Sequence, residues 1–192
     1  MNVQKFKEDI VFQENLRGYN FIFHSTWGLF SYNAIDAGTQ LLIDSMHINP
    51  SDVVLDLGCG YGAIGIVAAK LAPQGHIHMV DKDFVAVAYA EKNAEANKLK
   101  NCEAYLSNGF SHIDPKRTFH VILSNLPSHM SKEVLSIFLS DAKDHLKTGG
   151  MISLVIASRL KHFIQISLQD IFGNCEIVAQ NKTYIMCTAI KQ

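Results

Sequence analysis

Three stretches of this chain hold residue types at spacings that could do chemistry. In VVLDLGCGYG (53–62), a short apolar run carries Asp56 and passes into Gly58, Gly60 and Gly62 at alternate positions. Glycines allow positive φ and close approach of the main chain to a ligand, and a helix starting behind them offers free N–H groups. In MVDKD (79–83), Asp81 ends another apolar run, where a carboxylate can accept from both hydroxyls of a ribose. Asp83 is the better cap for the helix that follows. Asn108, in LSNGF (106–110), can bond an adenine edge or simply make an Asn-Gly turn. In SNLPSHM (124–130), Pro127 restrains Leu126 to an extended geometry. The Asn125 side-chain oxygen and the Leu126 carbonyl can then accept both hydrogens of a planar NH₂ group. The lone pair of an aromatic amine is delocalised and weakly nucleophilic. Two acceptors favour a pyramidal nitrogen and aim its lone pair, so catalysis would be positioning and electrostatics. His129 is a candidate base for the released proton, or a loop residue with no orienting partner.

The glycine loop admits two ligands. Gly58-x-Gly60-x-x-Ala63, with Asp81 further on, fits the dinucleotide fingerprint, so a nicotinamide or flavin reading competes. Asp56 opposes it: two residues before the first glycine it would repel a pyrophosphate, yet suit an ammonium or sulfonium group. The Asn125–Pro127 loop has no role in hydride transfer. His76 and His78 read as strand-rim residues, with no third metal ligand in evidence, and no metal is expected.

These loops must be held by a frame. VVLDL (53–57), HIHMVD (76–81), CEAYL (102–106), FHVILSN (119–125) and MISLVIA (151–157) read as strands. Helical patterns lie between them at 63–72, 84–100 and 132–147, the last stopped by Gly149–Gly150, and another follows at 159–171. Strands alternating with helices imply a mainly parallel sheet, and the all-apolar runs suit strands covered on both faces. CEIVAQ and TYIMCTAI, joined by the short QNK, must pair antiparallel. DIVFQE and YNFIFHS suggest a β-hairpin turning at 15–18, and TQLLIDSMHI a helix starting at Gly38–Thr39.

The 192 residues fit one ordinary domain. A net charge of −1 gives no global pull toward nucleic acid or anionic lipid, so any basic surface must be gathered locally. The N-terminus shows no signal-peptide pattern, and no apolar run approaches a membrane span. Four cysteines without CxxC spacing read as buried free thiols in a reducing cytoplasm.

With these motifs assembled, the chain resembles the class I S-adenosylmethionine-dependent methyltransferases. More narrowly, it resembles their methyltransferase-small group, best known for guanine-N2 methyltransferases acting on ribosomal RNA. The blocks that carry this are GLFSYNAIDAGTQLLI (28–43), VVLDLGCGYGAIGI (53–66), MVDKD, LSNGF and SNLPSHM. The resemblance implies a Rossmann-like seven-stranded α/β sheet with an antiparallel last strand, spanning residues 27–192 behind an N-terminal hairpin extension (1–26). It implies S-adenosyl-L-methionine as cofactor, with Asp56, Gly58, Gly60 and Gly62 around its methionine part, Asp81 on the ribose and Asn108 on the adenine. Phe30, Gly38 and Thr39 would close the site, and Asn125, Leu126 and Pro127 would present the target amine. The substrate implied is a structured RNA, tRNA or rRNA, methylated on a guanine nitrogen. A small molecule or protein side chain is the rival substrate, and a binding module without turnover the non-enzyme alternative. The group usually has Asn-Pro-Pro and then a large apolar or aromatic residue. Here the run is Asn-Leu-Pro-Ser, and Ser128 cannot stack on a base, which would suit ring position seven of guanine.

Overall fold

A computed structural model of the protein describes residues 8–127 and 130–192. Strands β1 (Ile10–Leu16) and β2 (Tyr19–Ser25) form the hairpin, and helix α1 (Ala37–Ser45) follows a long loop. The alternating part runs β3 (Val53–Leu57), α2 (Ala63–Leu71), β4 (His76–Asp81), α3 (Phe84–Ala96), β5 (Cys102–Leu106), β6 (Phe119–Asn125), α4 (Lys132–His145) and β7 (Leu146–Ala157). A 3₁₀ turn at Ser158–Leu160, helix α5 (Lys161–Phe172), β8 (Glu176–Gln180) and β9 (Tyr184–Ile190) complete it. The sheet order is β5-β4-β3-β6-β7-β9-β8. All pairings are parallel except those of β9, which runs antiparallel to both β7 and β8.

Side chains of a strand alternate between faces, and the apolar runs are divided accordingly. Val54, Val121, Leu123 and Val155 pack with α1, α2, α3 and the hairpin. Their neighbours Leu55, Ile122, Leu154 and Ile156 pack with α4 and α5 on the opposite face. Both faces of the central strands are therefore dry, and each fully buried aliphatic side chain is worth ~1.5–3 kcal/mol.

The hairpin is fastened from both ends. At its turn, Arg17 donates to the Ile43 and Met46 carbonyls at the end of α1 (2.9 and 3.0 Å). On its flank, Asn93 of α3 and Asn97, which caps that helix, exchange hydrogen bonds with the β2 backbone at His24 and Ile22. The same Asn93 amide donates to the Tyr61 carbonyl (2.8 Å), linking hairpin to glycine loop.

Helix boundaries differ from expectation at α3, α4 and α1. Helix α3 stops at Ala96, because Lys98 turns left-handed (φ 57) while Lys98 N–H and Leu99 N–H close back on Glu95 and Ala94. That is a Schellman end whose left-handed residue is a lysine instead of the usual glycine, so the sequence hides it. Helix α4 ends at His145, before Gly149–Gly150. These glycines serve the irregular start of β7: Gly149 has φ +78, and a Cβ on Gly150 would lie 2.8 Å from the Lys147 carbonyl. Helix α1 begins one residue earlier than expected, at Ala37, with Asp36 as its cap.

Candidate active site

Strand order reverses at β3: the chain winds outward through β4 and β5, then returns to the other side as β6. Parallel pairing brings the carboxyl ends of these four strands to one edge, and the crevice at such a reversal is where open α/β sheets bind ligands. The ends carry Gly58, Asp81, Asn108 and Asn125, so the topology gathers the residues that the motifs singled out.

The glycines of the loop do different work. Gly62 (φ +90) starts α2, and a Cβ there would press on Ala90 at 3.1 Å, so this glycine serves helix packing. Gly58 (φ +77) and Gly60 (φ +55) face nothing within 4 Å where a Cβ would stand, so they line an open cradle. The loop is pinned to the end of β4. Gly58 and Cys59 N–H donate to the Val80 carbonyl (2.8 and 2.9 Å), and Gly60 N–H donates to Asp81 Oδ2 (2.9 Å). Asp81 Oδ1 accepts from Asp83 N–H (3.0 Å), which fixes the plane of the carboxylate beside the cradle. Asp83, as expected, caps α3 through Val85 N–H (2.8 Å). Asn108 is exposed in the turn after β5.

Asp56 lies beneath the cradle and is wholly buried. Its Oδ2 accepts from Gly65 N–H (2.8 Å), while Oδ1 is buried without a partner among the described residues. Burial pushes its carboxyl from 3.8 up to about 7, the Gly65 hydrogen bond opposes this, and the nearby Asp81 charge adds to it. A cation placed above the loop would relieve both burial and repulsion.

On the other wall, Asn125 ends β6. Its Nδ2 donates to Asp36 Oδ2 (3.1 Å) and Thr39 Oγ1 (3.0 Å). Leu126 N–H donates to the Val155 carbonyl (2.9 Å), and the Pro127 carbonyl accepts from Met130 N–H (3.2 Å), so the loop is tied on both sides of the Leu126 carbonyl. Thr39 thus reaches Asn125 directly. Gly38 is a packing glycine, with Val155 and Tyr184 at 3.1 and 3.2 Å from where its Cβ would be. Phe30 is 66% exposed on the loop before α1. Ser128 and His129 lie outside the described residues.

Sequence reasoning missed three groups. Asp36 could have been found, since Asp before Ala-Gly-Thr at a helix start is a cap signal. Asn93 could not, because a buried asparagine inside a helix gives no pattern. Phe84 and Leu106, exposed beside Asp81 in chain and register, offer apolar surface to a flat ring.

At the far end of the sheet, Glu103 joins His76 and His78 as a third group with metal-ligand chemistry. Arg117 donates to His78 Nε2 (2.8 Å) and the Glu103 carboxylate faces Nδ1 (2.9 Å), so His78 carries its proton on Nδ1. Burial first, then the Arg117 charge, hold its pKa down at about 4 against the pull of Glu103. Arg117 also approaches Glu103 (3.8 Å) and His76 lies 3.5 Å from it, so the set is a partly exposed polar network around His78. Cys59 and Cys187 are buried, Cys102 and Cys175 half-buried, and all four are free thiols. Burial pushes Cys187 up to about 12. No helix among the described residues is long and apolar enough to cross a membrane.

A seven-stranded sheet of this order with an antiparallel last strand, a glycine cradle after its first strand and a carboxylate ending its second define the Rossmann-like methyltransferase class. Comparison with known proteins narrows this: the profile of the methyltransferase small domain matches residues 20–188, and the chain belongs to that family. It is 35% identical over 178 residues to the uncharacterized protein YbxB of Bacillus subtilis, covering 92% of this chain and 89% of that one. It is 30% identical over 180 residues to ribosomal RNA large subunit methyltransferase G of Yersinia pestis, covering 90% of this chain and 45% of that one. Among solved structures, the T. thermophilus 16S rRNA N2 methyltransferase RsmC in complex with AdoMet and guanosine superposes with a TM-score of 0.85 at 27% identity, covering 96% of this chain and 51% of that one. The chain therefore spans about half the length of the rRNA methyltransferases it matches. The likeness to M. jannaschii TYW2 (TM-score 0.67, 15% identity, 95% of this chain and 86% of that one) is one of fold alone.

Proposed function

We propose that the protein is an S-adenosylmethionine-dependent RNA methyltransferase that modifies the exocyclic amine of a guanine in structured ribosomal RNA. The observation that carries this is the orientation of Asn125, whose amide nitrogen is spent on Asp36 and Thr39 and whose oxygen is left for a donor. With the Leu126 carbonyl beside it, the site offers two acceptors to one NH₂ group, which matches an exocyclic amine better than a ring nitrogen bearing no hydrogen. Relatives named as rRNA methyltransferases, one of them held with guanosine, support the same substrate.

The residues fit the cofactor. Gly58 and Gly60 leave room for its methionine part, Asp81 presents a fixed carboxylate to its ribose, and the partnerless Asp56 oxygen favours a cation above the loop. When bound, S-adenosylmethionine supplies a methyl group on a sulfonium leaving group. The two acceptors hold the amine hydrogens and aim its lone pair at the methyl carbon. Transfer would form the C–N bond as the C–S bond of the bound cofactor broke, the sulfur keeping the electron pair. The methylated nitrogen, briefly cationic, is a strong acid and loses its proton readily; His129 is proposed as the acceptor. Residues 1–26 are proposed as an extension that adds substrate-facing surface to the 27–192 methyltransferase domain, and the cytoplasm is its proposed compartment.

The test is incubation with methyl-labelled cofactor and unmodified rRNA, followed by nucleoside mass analysis. N2-methylguanosine is expected. Label in 7-methylguanosine would replace the exocyclic target, label in tRNA alone would replace the rRNA substrate, and label in protein or small molecules alone would replace the RNA reading.

A further inference from the structure

Asn125 can offer an oxygen to the target nitrogen only if its amide is held one way round. The two ends of a terminal amide have nearly the same shape, so its orientation is decided by what each end faces. Asp36 Oδ2 lies 3.1 Å from one end and Thr39 Oγ1 lies 3.0 Å from it. A carboxylate has no hydrogen to give. Amide oxygen turned toward it would set acceptor against acceptor, so the carboxylate draws NH₂ inward and leaves oxygen facing the crevice.

We propose that Asp36 is the positioning residue of the transfer reaction, with Thr39 as its second contact: it fixes the Asn125 amide with oxygen toward the incoming amine. This rests on the function proposed above. Asp36 is itself held. As the cap of α1 it accepts from Gly38 N–H through Oδ1 (2.8 Å) and from Thr39 N–H through Oδ2 (3.2 Å). The first turn of α1 is pressed onto the sheet, because the Gly38 backbone runs close to Val155 of β7 and Tyr184 of β9. Sheet, helix cap and Asn125 therefore form one rigid chain.

The cap and the positioning role can be separated. Asparagine caps helices as well as aspartate does, so Asp36→Asn can keep the 2.8 Å bond from Gly38 N–H and gives up only the longer one from Thr39 N–H. Its NH₂ then stands where Oδ2 stood and opposes Asn125 Nδ2, donor against donor. Asn125 turns over and shows NH₂ to the target amine, which also needs an acceptor. If the new amide takes the opposite rotamer, it points NH₂ at Gly38 N–H and forfeits the cap, which a thermal melt reports.

The experiment measures kcat, RNA KM, cofactor Kd and Tm for the wild type, Asp36→Asn, Thr39→Ser and Thr39→Val. The Asn125 side-chain NH₂ signal is followed by ¹⁵N NMR, assigned by its loss in Asn125→Asp. Asp36→Asn is expected to lower kcat on the order of a hundredfold, with RNA KM, cofactor Kd and Tm close to wild type and a displaced Asn125 signal. Thr39→Ser, which retains the hydroxyl, is expected to hold more of kcat than Thr39→Val, which loses part of it. Wild-type kcat in Asp36→Asn, or an unmoved Asn125 signal, overturns the proposal. So does a fall in kcat matched by falls in Tm and cofactor affinity, since Asp36 would then be a cap only. Wild-type kcat in Thr39→Val removes Thr39 from it. Failure of the wild type to methylate any RNA sinks the function above, and the Asn125 signal still decides the orientation.

Discussion

Removing the charge of Asp56 changes how stability depends on pH. Its folded pKa is about 7 against 3.8 for the ordinary carboxyl, with burial as the main cause. The folded state thus holds this proton more tightly than the unfolded chain. Stability linked to it is fully present below the unfolded value and is lost as pH rises through about 7. The cost is about 2 kcal/mol at pH 5 and about 4 kcal/mol at pH 8, on the order of one kcal/mol per pH unit between the two pKa values. Asp56→Asn keeps the shape and an oxygen for Gly65 N–H but does not titrate. Urea unfolding of both proteins at pH 5 and pH 8 is the assay. Other groups, such as His78 held down at about 4, cancel when the variant is subtracted from the wild type at each pH. The variant should gain roughly 2–3 kcal/mol relative to the wild type between pH 5 and pH 8. A difference constant to within ~0.5 kcal/mol would mean that Asp56 is charged in both states at pH 5, and the burial argument would fail.

The same group makes cofactor binding depend on pH. A cation above the glycine loop favours ionised Asp56, so affinity for S-adenosylmethionine should tighten from pH 6 to pH 8 with proton release on binding; calorimetry in buffers of different ionisation enthalpy reads both. Asp81→Ala should weaken cofactor binding by ~1.5–3 kcal/mol, the worth of a charge-assisted hydrogen bond or pair. Saturable heat with NAD and none with S-adenosylmethionine would instead restore the dinucleotide reading. Asn93→Ala leaves His24 and Tyr61 backbone groups unpaired and should cost ~2–4 kcal/mol in urea unfolding. It should also speed amide exchange at residues 22–24, and protection unchanged there would show that the hairpin does not depend on that amide.

What the sequence revealed follows from what each residue answers to. Strands β3, β4, β5 and β6 stood at the expected residues, because runs such as VVLDL and FHVIL are shaped by burial on both faces and local pattern reports burial. The placement of the glycine loop, Asp81 and Asn125 was legible for a related reason: each stands where a strand leaves the sheet. Helix ends were less legible. At the end of α3, Lys98 turns left-handed beside Asn97, which bonds β2 at a residue 75 positions away, and the two further residues expected of α4 lost to the pairing of Leu146 with Phe119. The contact of Asp36 with Asn125 spans 89 residues, so the cap was readable in sequence but its second role was not.

The central claim is that a cofactor held at Gly58–Asp81 meets an amine held by Asn125. Asn125→Ala tests it in one measurement: single-turnover methyl transfer to rRNA, with cofactor affinity read on the same sample. Cofactor affinity as in the wild type, with methyl transfer reduced to background, is the predicted result. Methyl transfer at the wild-type rate in this variant would contradict the account.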